Sequence, residues 1–141
     1  MWKQNRMKDG EEKGRELLGS KWDKIIEALS AQNQDITKYI VEWAYGEIYN
    51  RPGLDLKQRE IISITSLAMQ GKNSQLKTHI FAALNAGLTE EEIMESFIHL
   101  ALFAGFPTAL EAIKIAKEVF DSPSPEDTGV DPKNILNKEN A

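Results

Sequence analysis

The sequence predicts an all-α fold, a single-domain helical bundle of about six to seven helices. Apolar residues recur at the three- and four-residue spacing of helices, and no segment alternates as a strand does. Glycine, proline and asparagine interrupt this pattern at short intervals and separate the helices. With 141 residues, of which 41% are hydrophobic and 28% charged, the chain has the length and composition of one globular domain.

Three helices are expected in the first 50 residues. The first covers about residues 8–18, where Gly10 and Gly14 should each weaken the helix by about 1 kcal/mol relative to alanine. The second covers residues 20–29, and the third follows Asp35. Helical spacing places six apolar residues on one face of the third helix: Ile36, Tyr39, Ile40, Trp43, Ala44 and Ile48.

Local start and stop signals predict four further helices. Residues 50–53 form a breaker cluster before them, and a glycine follows each of the first three helices. These glycines are Gly71, Gly87 and Gly105. Thr89 and Glu92 have the spacing of a capping box, and Pro107 suits the first position of the last helix.

The composition changes after Asp121 to a segment with three prolines and few large apolar residues. We therefore expect residues 1–121 to form the folded domain and residues 122–141 to form a flexible C-terminal tail.

Composition excludes several function classes. A net charge of −5 without a basic stripe argues against nucleic acid as a partner. The absence of cysteine excludes disulfides, thiolate catalysis and cysteine-based metal sites. Because no apolar run approaches a signal peptide or a membrane span, we expect a cytoplasmic protein with no membrane partner. No metal-ligand motif or phosphate-binding loop is present, so no metal or cofactor is expected.

His79 stands out because it shares a helix face with apolar residues. Leu76, Ile80 and Ala83 complete the spacing of that face, which directs His79 inward. A buried histidine can be a hydrogen-bonded core residue, or an acid or base, because imidazole titrates near neutral pH.

Glu60 is the second candidate, on a helix face shared with Ile64, Leu67 and Ala68. A carboxylate in this position is either solvated at the edge of the stripe, or buried and paired. His99 lies on a polar helix face with Glu92 and Glu95, and we interpret it as a surface or interface histidine.

Residues 75–93 read QLKTHIFAALNAGLTEEEI, and FAGFPTA follows at residues 103–109. With the RPGLD element that begins at Arg51, these segments resemble the carboxymuconolactone decarboxylase family, which includes decarboxylases and alkylhydroperoxidase D-like peroxidases. The resemblance covers roughly residues 16–120 and implies the alkylhydroperoxidase D-like fold.

The resemblance implies roles for particular residues. His79 falls at the family's active-site histidine, and Glu60 precedes it by nineteen residues, as a glutamate does in the peroxidase branch. The two would then form a carboxylate–imidazole pair that relays protons. The peroxidase cysteines would fall at Lys72 and Gln75, so dithiol peroxidase chemistry is excluded.

Four further residues are expected to contact substrate. Arg51 is a candidate anchor for a carboxylate, with a loop salt bridge as the alternative. Gln75 could donate hydrogen bonds near His79, and Phe106 could line the pocket. Phe103 stands where the decarboxylase pattern commonly has tyrosine, so a possible hydroxyl donor is absent.

The function expected from the resemblance is a cofactor-free decarboxylase that acts on a carboxylated lactone or a similar small acid. Two alternatives stay open: an enzyme for a different small carboxylate or quinone, and a non-catalytic binding module. The resemblance also implies a homo-oligomer, commonly a hexamer built as a trimer of dimers.

Overall fold

A computed structural model of the chain describes residues 5–122, and the chain divides into two compact units between residues 56 and 57. The described residues form helices and no strands, which confirms the predicted all-α class. The predicted tail lies outside the described residues except for Ser122, and the assignment of residues 1–121 to one domain stays a prediction. The helices are α1 (Arg6–Leu18), α2 (Trp22–Gln32), α3 (Gln34–Tyr39), α4 (Leu56–Gln70), α5 (Asn73–Asn85), α6 (Glu90–Ala104) and α7 (Phe106–Phe120).

Asparagine side chains determine two helix starts in the first unit. Asn5 accepts a hydrogen bond from the Lys8 backbone N–H at 3.1 Å, so α1 begins two residues earlier than predicted. A 3₁₀ turn at Gly19–Lys21 precedes α2. Asn33 ends α2 and caps α3 by accepting from the Ile36 N–H at 2.9 Å.

The predicted apolar face of the third helix lies largely at the surface of the single chain. Ile36, Tyr39 and Trp43 are at least half exposed, whereas Thr37, Val41 and Tyr45 are buried. A π-helical segment, Ile40–Tyr45, continues α3 and is followed by a 3₁₀ turn at Ile48–Asn50. The buried residues Thr37, Val41 and Tyr45 recur every four residues and form a different side of this helical stretch.

Gly10 and Gly14 have a packing role that sequence reasoning missed. Both are buried on α1, which packs against the π-helical segment. A Cβ at Gly10 would clash with the carbonyl oxygen of Val41, and one at Gly14 would clash with the Trp22 ring. These glycines lower the helix propensity of α1, but their lack of a side chain allows the close packing.

The predicted boundaries of the second unit are largely confirmed. Gly71, Gly87 and Gly105 follow α4, α5 and α6 with φ of 71°, 101° and 87°, a backbone region that favours glycine. Thr89 and Glu92 form the expected capping box at the start of α6. Pro107 is the second residue of α7 instead of the first, because the helix already begins at Phe106.

The core of the second unit lies among α4, α5, α6 and α7. It includes Ile64 from α4, Ile80 from α5, Phe97 from α6 and Ala116 from α7, and each of these side chains is fully buried. In the part of the chain that the structure describes, no helix is long and apolar enough to cross a membrane.

Candidate active site

Glu60 lies in the second turn of α4 on the face that enters the core. Its neighbours one and two turns later, Ile64 and Ala68, are buried, and the Glu60 side chain itself is 0% exposed. A charged side chain is rarely enclosed in this way unless it is paired. The structure thus decides between the two sequence-based alternatives in favour of burial.

His79 lies on α5 between two buried residues of the same face, Leu76 and Ile80. Its side chain keeps 17% of its surface exposed, so one part of the ring reaches the surface. The predicted inward orientation is confirmed. A ring with this partial exposure can contact both the protein interior and a small molecule.

The two side chains meet. His79 Nδ1 lies 3.2 Å from Glu60 Oε2, within hydrogen-bond distance. If Glu60 is ionised, its oxygen can only accept, so the ring proton lies on Nδ1 and Nε2 is the free acid–base atom. The pair therefore holds the ring in one tautomer and one orientation.

The second oxygen of Glu60 sets this carboxylate apart. Oε1 is buried and has no hydrogen-bond partner within residues 5–122. Buried carboxylate oxygens normally have partners, and an unpaired one costs free energy. Glu60 consequently depends on His79 for its hydrogen bonding within the described structure.

Gln75 lies one helical turn before His79 on α5 and is partly buried. Side chains four residues apart on a helix are neighbours, so Gln75 is placed to reach the surroundings of the imidazole. Ser74 accepts through its backbone carbonyl from the Thr78 hydroxyl at 3.3 Å. The positions that align with the peroxidase cysteines hold Lys72 and Gln75.

Phe103 and Phe106 are both largely exposed, at 76% and 75%. Phe103 lies near the end of α6 in an open groove whose lining does not include Glu60 or His79. Phe106 is the first residue of α7. The substrate contacts expected of these two residues stay predictions.

Arg51 belongs to the first unit, where it follows the 3₁₀ turn Ile48–Asn50 and is exposed. Its proposed contact with a carboxylate is likewise a prediction. His99 is exposed on α6, as the sequence indicates, and its ring lies 6.0 Å from that of Phe103. No group of three or more potential metal ligands occurs among the described residues.

The family model of the carboxymuconolactone decarboxylase family matches residues 34–118, more than half of the chain. The chain belongs to this family. Both the all-α, alkylhydroperoxidase D-like fold and the resemblance found in the sequence are thereby confirmed.

Individual relatives include named decarboxylases. A 4-carboxymuconolactone decarboxylase from Acinetobacter baylyi is 35% identical over 133 residues, which cover 94% of this chain and 96% of that protein. A nitrosuccinic acid decarboxylase from Metarhizium robertsii is 31% identical over 108 residues, 76% of each chain. An uncharacterized 15.0 kDa protein from Paracoccus denitrificans is 35% identical over 83 residues, 57% of this chain and 62% of that protein.

Sequence reasoning missed a groove between α4 and α6. Glu95, His99 and Phe103 recur every four residues and share one side of α6, where they line the same groove as Ile61 and Thr65 of α4. The four-residue spacing was visible in the sequence, but the partner helix was not. Only the packing of α4 beside α6 shows that these residues enclose a common space.

Proposed function

We propose that the protein is a carboxy-lyase that removes CO₂ from a small carboxylated lactone or a similar small acid without a cofactor. The observation that carries this proposal is the Glu60–His79 pair, a buried carboxylate that orients a partly exposed imidazole. The chain also belongs to a family in which two of its relatives are named decarboxylases, and this supports the same reaction class.

The two relatives' named substrates share a chemical feature. In each, the bond between a carbon and its carboxylate can break because a neighbouring electron-accepting group delocalises the electron pair of that bond. In a carboxymuconolactone the acceptor is the unsaturated lactone, and in nitrosuccinic acid it is the nitro group. After CO₂ leaves, one carbon of the resulting delocalised anion must take up one proton. The substrate class we propose is therefore a small diacid that carries such an electron acceptor.

His79 suits the protonation step. Glu60 holds Nδ1–H, so Nε2 can carry the transferable proton when the ring is an imidazolium, and the Glu60 carboxylate would stabilise that charge. Delivery of the Nε2 proton to the substrate carbon returns the ring to its neutral form. Because 17% of the side chain is exposed, the ring can regain a proton from solvent.

The remaining contacts belong to the same proposal. Arg51 would bind a substrate carboxylate, since Arg pairs with carboxylates through two parallel hydrogen bonds. Gln75 would donate from the turn before His79. Phe103 and Phe106 would contact the apolar part of the substrate. Such contacts would offset the repulsion between a dianionic substrate and a chain of net charge −5.

The test is CO₂ release from 4-carboxymuconolactone and from nitrosuccinate by the purified full chain. His79→Ala should abolish proton delivery and lower kcat by about 10²–10⁴-fold, the usual contribution of a positioned acid. Glu60→Gln keeps the size of the side chain but removes its charge, and should lower kcat by a smaller factor. Glu91→Gln, an exposed change on α6, is the matched control and should leave kcat unchanged.

Each outcome separates the alternatives. A wild-type protein that turns over neither substrate contradicts the proposal for this substrate class and favours a different carboxylate, a quinone or a non-catalytic role. Turnover that is unaffected by His79→Ala retains the reaction but removes His79 from it. Loss of activity in the Glu91→Gln control would show that the assay reports folding instead of chemistry.

We also propose that the chain forms a homo-oligomer, with a hexamer built as a trimer of dimers as the expected state. Supporting it, Ile36, Tyr39 and Trp43 of the first unit are 50%, 59% and 59% exposed in the single chain. Clustered exposed apolar side chains often mark interaction sites. Separately, we propose a cytoplasmic location, as expected from the sequence.

A further inference from the structure

An open groove lies on α4 and α6, and its lining does not include the Glu60–His79 pair. Its volume is about 560 Å³, a size typical of small-molecule sites. Its lining residues are Ile61, Thr65, Glu95, Ser96, His99, Leu100 and Phe103.

Apolar side chains form most of the groove surface. Leu100 is almost fully buried and forms the base, and Ile61 of α4 is partly buried. Phe103 is 76% exposed, so its ring is available to a ligand. An apolar or aromatic body of a few carbon atoms fits this surface, and burying it would supply the nonspecific part of the binding energy.

The hydroxyl groups in the groove can act only as acceptors toward a ligand. Thr65 donates its hydroxyl proton to the Ile61 carbonyl at 2.7 Å. Ser96 donates its own to the Glu92 carbonyl at 2.8 Å. Both protons are committed to the backbone of the preceding helical turn, so only oxygen lone pairs face outward.

The charged group in the groove is also an acceptor. Glu95 is exposed on α6 and is the carboxylate among the residues that line the groove. His99, one turn after Glu95, can offer one acceptor nitrogen when its ring is neutral. The groove therefore presents one carboxylate and several acceptor atoms beside apolar side chains.

We propose that this groove binds a small organic ammonium ion with an aromatic or branched apolar body. The ammonium group would donate to Glu95 and to the hydroxyl oxygens, and the apolar body would pack on Leu100 and Phe103. A carboxylate would meet Glu95 and find few donors. The ligand is thus of opposite charge to the substrate proposed for His79, and this site does not depend on that function. Phe103 is also a proposed substrate contact, so this ligand and that substrate would compete for its ring.

The experiment uses three probes with the same benzyl body and different charge: benzylammonium, benzyl alcohol and phenylacetate. Backbone amide chemical shifts of the full chain are recorded by NMR during titration at pH 8, where aliphatic amines are protonated and an ordinary imidazole is neutral. Benzylammonium should shift the amides of α4 and α6 around the groove with the lowest dissociation constant of the three probes. Glu95→Gln should weaken its binding by roughly two- to fivefold, as expected for an exposed ion pair.

Glu91→Gln serves as the control, since Glu91 is an exposed glutamate of the same helix that does not line the groove. This variant should bind benzylammonium within the error of the wild type. Equal binding of all three probes, stronger binding of phenylacetate, or the absence of shifts around the groove would each overturn the proposal. Equal weakening by Glu91→Gln and Glu95→Gln would also overturn it, because helix charge and not the groove would then attract the cation.

Discussion

Replacing His79 with leucine should destabilise the protein more than replacing Glu60 with leucine, although the two residues form one pair. The asymmetry follows from burial, because Glu60 is 0% exposed and His79 is 17% exposed. In His79→Leu the carboxylate loses its Oε2 partner, while Oε1 already has none among the described residues. Leaving a buried carboxylate without its partner costs about 3–5 kcal/mol, because the charge is then uncompensated.

The other single substitution, Glu60→Leu, leaves His79 without its partner, and this costs less free energy. In Glu60→Leu the imidazole can stay neutral and can bond to water through its exposed part, so a cost of about 1–2 kcal/mol is expected. The double variant removes both polar groups from the interior. Replacing a buried pair with apolar residues is often neutral or stabilising, so its cost should be far below the sum of the two single costs.

Urea unfolding followed by far-ultraviolet circular dichroism measures these differences as shifts in the transition midpoint. The slope of each transition must stay constant, so that a midpoint shift reports stability alone. Two protein concentrations are needed, because self-association would itself raise apparent stability. Equal costs for the single variants, or additive costs in the double variant, would refute the inference that Glu60 is enclosed and depends on His79.

Three further predictions follow from other parts of the molecule. The pKa of the Glu92 carboxyl is lowered because the Thr89 backbone N–H and side chain hydrogen-bond to it, so its stabilising effect is present above the ordinary glutamate pKa and is lost as pH falls through the lowered folded pKa. Glu92→Gln removes this titration, and the fall in melting temperature between pH 5 and pH 3 should become smaller; an unchanged fall would contradict this account. Gly14→Ala should cost about 1–3 kcal/mol in urea unfolding because its Cβ would overpack the core, whereas Gly53→Ala, with nothing within 4 Å, should be nearly neutral. Sedimentation velocity should show an oligomer that Trp43→Glu dissociates, and a stable wild-type monomer at micromolar concentration would refute self-association.

Much of the second unit could be predicted because its signals are local. The glycines at 71, 87 and 105 adopt positive φ, and the Thr89–Glu92 box needs only residues three apart. The inward orientation of His79 followed from the spacing of Leu76 and Ile80. Interactions within one or two helical turns are present in the sequence itself, so they need no knowledge of neighbouring helices.

The first unit shows where this reasoning failed. The α-helical period placed the apolar residues of the third helix on one face, but it did not show that Tyr39 and Trp43 on that face are exposed while Val41 is buried. Gly10 and Gly14 were interpreted as weak points, although the packing of α1 requires them. Both points concern contacts between residues that are distant in sequence, and no local pattern reports such contacts.

The sequence by itself determined the helical class, most helix ends, the family and the candidate pair of Glu60 and His79. Only the tertiary structure decided that Glu60 is fully buried, that its Oε2 lies 3.2 Å from His79 Nδ1, and that Glu95, His99 and Phe103 share a groove with α4. Periodicity orients a side chain relative to its own helix. Burial and distance depend on which other helix packs against that face, and this is decided by the packing of the whole unit.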